Sequence, residues 1–385
     1  MHKQATMENF TAYNPTALHF GQDVIQDLGN TVQGYGQRVL LVYGMGSVKS
    51  SGVYQQVMAQ LTKIKAQVYE YSGIRPNPLL EDVDAAAELG RVKSVDVILA
   101  VGGGSVIDTG KAIAVTIPVF HSAWDFFTGR AKPQRAIPLV AVLTLAATGS
   151  EMNQFAVIQN NRSKNKLGFG SPLMYPRHAF LDPSFTLSVP PDYTAYGIVD
   201  LISHAMESYF GKGDASLSDR IVWAIIREAM EYGPALMNDP ANVDLRARIM
   251  LAATLALNGI TNYGRLSGDW GVHAIGHLLS VLFDVPHGAT LSIAYPAWLK
   301  VMKERQRERI VLLGKNLFGT DDPDSFIRQL ESFFSMLGSP VRLSQIGLTA
   351  QQHIQIREHM SRTKATGRHL ALTEEDYDHL LALMA

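Results

Sequence analysis

The sequence predicts an α/β N-terminal domain with a parallel, doubly wound sheet, followed by an all-α C-terminal domain. Two observations predict this fold class. Short apolar runs rich in β-branched residues alternate with helical periodicity through the first half of the chain. Long helical patterns without such runs fill the second half. The change follows the stretch "VPPDYTAYG" (189–197), so we expect domains at 1–190 and 191–385.

The elements of the first half follow one another in the order expected of a doubly wound sheet. The run "RVLLVYG" is apolar and closed by glycine, which is typical of a buried parallel strand. Strands are expected at 38–44, 66–71, 95–101 and 136–144, and helices at 53–65, 79–90 and 106–115. Gly90 is expected to end its helix as a C-cap. In the second half, helices are expected at 218–230, 244–258 and 272–281.

The composition excludes several function classes. The 385 residues carry a net charge of −1, which does not suggest nucleic-acid binding or attraction to an anionic membrane surface. Cysteine is absent, so disulfides, zinc–thiolate sites and thiol nucleophiles are excluded, as in many cytoplasmic proteins. No apolar stretch approaches the ~20 residues that span a bilayer. "MHKQATMENF" lacks a signal peptide's apolar core, and Met7 is a candidate natural start, with 1–6 an extension.

A glycine-rich turn, Gly102-Gly103-Gly104-Ser105, follows an apolar strand and opens a helix. Glycines there let the backbone approach an anion, and free N–H groups at the helix start favour a phosphate. The alternative is a tight turn without a ligand. The spacing differs from GxGxxG, so the ordinary Rossmann fingerprint is absent.

Two further strand ends carry groups suited to a nucleotide. In "YGMGSVKSSG" (43–52), Gly44, Gly46, Ser47 and Lys49 offer room and donors, and no Asp or Glu lies between Arg38 and Glu70. An acidic residue near such a strand end often binds the ribose hydroxyls of NAD, so its absence favours NADP. The alternative is a surface turn with a solvated lysine. "LTLAATGSE" (143–151) carries hydroxyls that suit a ribose or amide but also cap helices.

A set of histidines and one carboxylate predicts a metal site in the helical half. "DLISH" separates Asp200 and His204 by four residues, and "HAIGH" separates His273 and His277 by four, so each pair shares a helix face. His287 follows, just past the helix end. Such donors suit Fe²⁺ or Zn²⁺. Five candidates exceed four ligands, so one is left for chemistry or support. For any single histidine, the alternative is a buried, hydrogen-bonded core residue.

Together and in this order, the GGGS turn, the TGSE stretch and the D-x3-H…H-x3-H…H series resemble the iron-containing, or group III, alcohol dehydrogenases. The resemblance runs from about Met7 to the C-terminus and is nearest the NADPH-dependent butanol dehydrogenase and broad aldehyde reductase branch. It implies a Rossmann-like dinucleotide-binding domain and a helical metal-binding domain, in a dehydroquinate synthase-like architecture. It implies metal ligation by Asp200, His204, His273 and His287, with His277 beside the metal as the catalytic residue. The cofactor-facing positions that it implies are Gly44, Gly46, Ser47, Asn77, Gly102, Gly103, Gly104, Ser105, Asp108, Thr144, Thr148, Asn153, Val157 and Lys166.

The implied function is metal-dependent hydride transfer between NADP(H) and a primary alcohol or aldehyde, in a homodimer formed through residues 10–20. Family members often carry a second threonine at Leu145 and a glycine at Ala147, so the nicotinamide contacts are expected to differ slightly here. A lyase of the dehydroquinate-synthase type would need a Lys and Arg cluster for its anionic substrate, whereas only Arg265 stands near the ligands. A non-catalytic metal or nucleotide binder would explain the histidines or the glycines, but not both.

Overall fold

The computed structural model of this chain describes residues 6–385. It divides into two compact units. The sheet unit comprises Tyr13–Val189 and Ala241–Met250, and the helical unit comprises the described residues up to Ala12 with Pro190–Pro240 and Leu251–Ala385. The predicted domain boundary after residue 190 stays a prediction. The expectation that residues 1–6 are an extension before Met7 stays a prediction, because residues 1–5 lie outside the described residues.

A six-stranded parallel sheet forms the centre of the sheet unit. The strands of this unit are β1 (Ala17–Phe20), β2 (Arg38–Gly44), β3 (Gln67–Ile74), β4 (Val97–Gly102), β5 (Leu139–Leu143), β6 (Phe155–Asn160), β7 (Asn165–Gly170) and β8 (His178–Leu181). The strand order in the parallel sheet is β1-β8-β5-β4-β2-β3. β6 and β7 lie outside this sheet and pair as an antiparallel hairpin. The parallel sheet confirms the fold class that the alternation of strand and helix patterns predicts.

Helices cover both faces of the sheet, which explains why its central strands are apolar at successive positions. The helices of this part are α1 (Leu28–Gln33), α2 (Ser47–Ser50), α3 (Val53–Lys63), α4 (Leu80–Val92), α5 (Gly104–Thr116) and α6 (Trp124–Phe127). Val39 and Leu41 of β2 belong to one apolar cluster with residues of α1 and α3. Leu40 and Val42 belong to the other, with residues of α4 and α5. Successive side chains of a strand point to opposite faces, so one strand supplies both cores.

The register brings three strand ends to one edge of the sheet. Tyr43 of β2 lies opposite Val101 of β4, and Gly102 of β4 lies opposite Leu143 of β5. The turns that follow β2, β4 and β5 are therefore neighbours. In open α/β sheets, ligands bind at the carboxyl ends of the strands.

Two sequence expectations need correction in the sheet unit. Gly90 does not end its helix, because α4 continues to Val92 and Lys93 is its C-cap. A Cβ at position 90 would lie 2.6 Å from Cδ1 of Ile117, so glycine is present there for close packing. The sequence pattern also predicts no strand at the β6–β7 hairpin, β1 or β8, all of which are present.

Helices make up the second half of the chain, as the sequence predicts. They are α7 (Pro191–Tyr209), α8 (Ser216–Asn238), α9 (Val243–Leu257), α10 (Gly271–Phe283), α11 (His287–Met302), α12 (Arg307–Phe318), α13 (Pro323–Met336), α14 (Ala350–Thr363) and α15 (Glu374–Met384). α7 is buried along nearly all of its length and packs against α8 and α11, while α10 packs against α11. Within residues 6–385, no helix is long and apolar enough to cross a membrane.

Candidate functional site

Four predicted metal ligands converge within the helical unit. Asp200 and His204 lie one turn apart on α7, His273 lies in the first turn of α10, and His287 is the first residue of α11. Asp200 Oδ1 lies 3.6 Å from Nε2 of His204, 3.9 Å from Nε2 of His273 and 3.9 Å from Nε2 of His287. Asp200, His204 and His273 place their ligand atoms within 4.8 Å of one another, and His287 approaches Asp200 Oδ1 from a third helix.

These donors have the spacing and chemistry of a cation site. Ligand atoms bound to one cation at about 2.1 Å in tetrahedral geometry lie roughly 3.4 Å apart, close to the distances from Asp200 Oδ1. Nε2 of His273 is buried and has no hydrogen-bond partner among the described residues. Burial, and secondly the His273 ring, lowers the pKa of His204 well below its ordinary value. A neutral imidazole is the form that ligates a metal, so the residues fit a divalent cation.

Glu207 is a functional candidate that the sequence analysis missed. It lies on α7, is 1% exposed, and accepts a hydrogen bond from Nδ1 of His273 at 3.0 Å. The sequence contains a signal that could have found Glu207: it lies three residues after His204 and seven after Asp200, so all three side chains share one face of the helix. Its contact with α10, 66 residues away along the chain, has no sequence signal.

His277 lies one turn after His273 on α10 and is half-buried. Its ring centroid is 5.1 Å from that of His287 and 6.3 Å from that of His273. The fifth histidine therefore lies next to His273 and His287, and its catalytic role stays a prediction.

The glycine-rich turn after β4 is shaped partly by packing. A Cβ on Gly104 would lie 2.3 Å from Oγ1 of Thr148, and a Cβ on Gly102 would lie 2.5 Å from Cγ2 of Val106. Neither neighbour is the mobile end of a long side chain. Packing alone thus accounts for two of the three glycines. The backbone still leaves N–H groups at the first turn of α5, where an anion is favoured.

A buried network underlies the loop between β5 and β6. Nζ of Lys111, on α5, donates to Ser150 Oγ at 2.8 Å, Asn153 Oδ1 at 2.9 Å and the Phe155 carbonyl at 2.7 Å. Burial lowers the pKa of Lys111 to about 8, against the charges of Asp108 and Glu151. The lysine therefore fixes the loop.

Asp108 and Asn153, both predicted to face the cofactor, are engaged in the same network. Asp108 accepts hydrogen bonds from Ser150 Oγ and, at 2.8 Å, from the backbone N–H of Val157. Burial raises the pKa of Asp108, while Lys111 opposes the shift. Asn153 accepts from Lys111 and donates to the Gly149 carbonyl at 2.8 Å. In this structure the two side chains shape the loop, and any contact with a cofactor would be additional.

Replacing Lys111 by methionine is expected to destabilise the sheet unit strongly. The change leaves three buried acceptors and the Asp108 carboxylate without their cation, and losing one partner of a buried charge costs about 3–5 kcal/mol. The unfolding free energy from urea titration measures this cost. Lys63→Met, at an exposed position on α3, is the matched control and should change it little. Equal stability of the two variants would contradict the role of Lys111.

The other predicted cofactor positions form two groups in the sheet unit. Gly44 ends β2, and Gly46 and Ser47 follow it. Thr144 and Thr148 follow β5, beside the turn after β4. Asn77 accepts a hydrogen bond from Lys166 at 2.9 Å, at the β6–β7 hairpin that also carries Val157. The Ser105 hydroxyl donates to the Pro76 carbonyl, so Ser105 would meet a phosphate through its backbone N–H.

The turn after β2 contains a cluster that the sequence analysis overlooked. Both oxygens of Glu70 accept hydrogen bonds, from Tyr43 at 2.6 Å and Tyr54 at 2.8 Å. Nζ of Lys49 lies 5.1 Å and 4.8 Å from the centroids of these two rings. An acidic residue from β3 is therefore present near this turn, although its oxygens are engaged by tyrosine hydroxyls.

Comparison with known proteins identifies the family. The model of iron-containing alcohol dehydrogenases matches residues 15–183, and the model of the C-terminal part of Fe-containing alcohol dehydrogenases matches residues 194–382. The chain is also 39% identical over 379 residues to a probable NADH-dependent butanol dehydrogenase 1 of Bacillus subtilis, covering 96% of this chain and 98% of that protein. This chain belongs to the iron-containing alcohol dehydrogenase family.

Other proteins similar to this chain agree in sequence and structure. The chain is 38% identical to the NADPH-dependent aldehyde reductase YqhD of Escherichia coli over 352 residues, covering 89% of this chain and 90% of that protein. The crystal structure of NADH-dependent butanol dehydrogenase A from Thermotoga maritima superposes with a TM-score of 0.95 at 36% identity, covering 99% and 100% of the two chains. The chain is therefore an alcohol or aldehyde oxidoreductase.

The structure argues against the lyase alternative, because Arg265, the basic side chain expected near the ligands, is already engaged. Arg265 is 4% exposed, and its guanidinium donates to the Asp219 carboxylate and, at 2.7 Å, to the Thr261 carbonyl. Its guanidinium is buried in the helical unit and paired with Asp219, so it is not offered to an anionic substrate. This fits membership of the iron-containing alcohol dehydrogenase family.

Proposed function

We propose that this chain is an NADP(H)-dependent enzyme that interconverts a primary alcohol and its aldehyde, of the butanol and butyraldehyde type. In the reductive direction, the aldehyde gains a hydride at its carbonyl carbon and a proton at its oxygen, while NADPH becomes NADP⁺. The observation that carries the proposal is the approach of three imidazole Nε2 atoms to within 3.9 Å of Asp200 Oδ1.

The residues that would hold a divalent cation, Fe²⁺ or Zn²⁺, are Asp200, His204, His273 and His287. When bound, such a cation supplies Lewis-acid chemistry that draws electron density from a carbonyl or alcohol oxygen. Asp200 contributes the anionic donor of the set. The three imidazoles contribute neutral donors on helices that are held by a packed core, so little reorganisation is needed when a cation binds.

His277 is proposed to move the proton. Its ring lies next to the rings of His273 and His287. Because it is only half-buried, it can exchange protons with solvent. An imidazole serves as acid or base near neutral pH, and a positioned proton donor contributes about 10²–10⁴-fold to a rate.

The turn after β2 is proposed to bind the adenosine ribose and its 2′-phosphate. A Cβ on Gly46 would meet nothing within 4 Å, so packing within the chain does not require glycine there, and space is left for a ligand. Lys49 supplies a cation beside it. The relatives differ in cofactor: the Bacillus subtilis protein is named for NADH and the Escherichia coli protein for NADPH. We favour NADP(H) because Glu70, the carboxylate beside Tyr43 and Tyr54 at this turn, already accepts two tyrosine hydrogen bonds.

Initial rates with butyraldehyde test the proposal. Protein stripped by a chelator would be reloaded with Fe²⁺ or Zn²⁺ and assayed with NADPH and with NADH. Activity that returns with the metal and favours NADPH supports the metal dependence, the substrate class and the cofactor assignment. A preference for NADH would overturn the cofactor assignment alone. Inactivity under each loading would overturn the substrate class. The homodimer and the cytoplasmic location stay predictions.

Lys49→Ala is expected to lower kcat/KM for NADPH several-fold and to leave that for NADH nearly unchanged. The reason is that only NADPH carries the 2′-phosphate, whose charge Lys49 would meet. The ratio of the two kcat/KM values is the measurement, with Lys63→Ala as a control at an exposed site on α3. Equal losses of kcat/KM with both cofactors would contradict a contact between Lys49 and the 2′-phosphate.

A further inference from the structure

One carboxylate joins α7 to the beginning of α10. Oε2 of Glu207 accepts a hydrogen bond from the backbone N–H of Trp270 at 2.5 Å, and Oε1 accepts from the backbone N–H of His273 at 3.0 Å. Oε1 also lies 3.0 Å from Nδ1 of His273. Since both oxygens accept from backbone donors, Glu207 acts as an acceptor in this contact, and Nδ1 of His273 is the donor.

This contact determines the chemical form of the His273 ring. With the proton on Nδ1, the lone pair of the neutral ring lies on Nε2. Nε2 is the atom that lies 3.9 Å from Asp200 Oδ1 and has no hydrogen-bond partner among residues 6–385. A ring turned over about its Cβ–Cγ bond would lose the Glu207 contact and direct a different atom toward Asp200.

The same carboxylate holds the backbone that carries the ring. Trp270 is the N-cap of α10 and has φ +68°, a left-handed conformation that is unusual for a bulky residue. Its N–H and that of His273 are among the donors that a helix start leaves without partners in the helix. Glu207 satisfies both, so main chain and side chain of His273 are fixed from one point.

We propose that Glu207 is a positioning residue that fixes the tautomer and orientation of His273 for cation binding. This inference rests on the proposed metal site. Carboxylates that accept from the second nitrogen of a ligating histidine raise its basicity, and their loss weakens metal affinity about 10–100-fold. A helix cap alone would contribute stability but would not change the affinity for a cation.

The isosteric variant Glu207→Gln tests the positioning role, with a second buried carboxylate as the control for lost stability. It keeps the shape but removes the charge, and one side of the amide presents a donor to a backbone N–H. Asp219→Asn is the matched control, because Asp219 is a buried carboxylate bound to Arg265 and Arg309 with no contact to a predicted ligand. Both variants are expected to lower the Tm of the metal-free protein.

The deciding measurement is the dissociation constant of Co²⁺, from competition with a chelator, together with the Co²⁺ d–d absorption spectrum. We expect Glu207→Gln to bind Co²⁺ about 10–100-fold more weakly, with a changed spectrum. Asp219→Asn should match the wild type in both. Wild-type affinity and spectrum in Glu207→Gln would overturn the inference and leave the proposed function standing. Failure of the wild type itself to bind Co²⁺ would instead overturn the proposed metal site.

A measurement on the unaltered protein covers the case in which Glu207→Gln does not fold. In Zn²⁺-loaded protein labelled with ¹⁵N at histidine, long-range ¹H–¹⁵N correlations report which ring nitrogen carries the proton. The missing signals of a His273→Gln sample assign His273. A proton on Nδ1 supports the inference, and a proton on Nε2 contradicts it.

Discussion

Replacement of Asp200 by alanine is expected to abolish cation binding and turnover together. Asp200 Oδ1 is the atom to which Nε2 of His204, His273 and His287 all lie within 3.9 Å. Without it, three neutral donors remain and the charge that offsets a divalent cation is lost. Lewis-acid assistance contributes several kcal/mol, so kcat/KM is expected to fall by about 10³-fold or more.

Metal content by elemental analysis and the rate with butyraldehyde, measured on the same preparation, check this expectation. Asp192→Ala is the matched control, since it makes the same change at an exposed site in the first turn of the same helix. The control should keep its metal and most of its activity. An Asp200→Ala protein that is active and metal-loaded would remove Asp200 from the ligand set.

Local sequence patterns were sufficient for β2, β3, β4 and β5 of the parallel sheet. β2 coincides with the predicted strand at 38–44, and α10 (Gly271–Phe283) contains the predicted helix at 272–281. Their apolar spacing reflects burial on both faces or on one stripe, which sequence reports directly. The β6–β7 hairpin was missed because polar residues and glycines interrupt its alternation. β1 and β8 have only four residues each, too few for a period to be evident.

In the candidate site too, contacts within one helix could be predicted from the sequence, and contacts between distant segments could not. The pairs Asp200–His204 and His273–His277 are visible because one helical turn brings each pair together. Glu207 meets His273 across 66 residues, and Lys111 meets Asn153 across 42. Such contacts depend on how helices and loops pack, which a single sequence does not express. The proximity of Glu70 to Tyr43 and Tyr54, strand against strand and helix, was missed for the same reason.

His277→Ala is expected to keep the cation and lose most of the turnover. His277 neighbours two predicted ligands by ring contact, but its role as a proton donor requires no bond to the metal. Loss of a positioned acid or base lowers kcat by about 10²–10⁴-fold. His379→Ala, at an exposed site on α15, is the control and should leave kcat and metal content unchanged.

Measuring both metal content and kcat in His277→Ala distinguishes a metal ligand from a proton donor. If His277→Ala loses its metal, His277 is a ligand and one of the four predicted ligands is not. If it keeps both metal and kcat, another donor moves the proton. Added imidazole distinguishes proton transfer from a change of pocket shape, because a small base in the space left by the side chain restores turnover only where a proton donor was missing. Partial recovery of kcat with unchanged metal content is therefore the result that assigns proton transfer to His277.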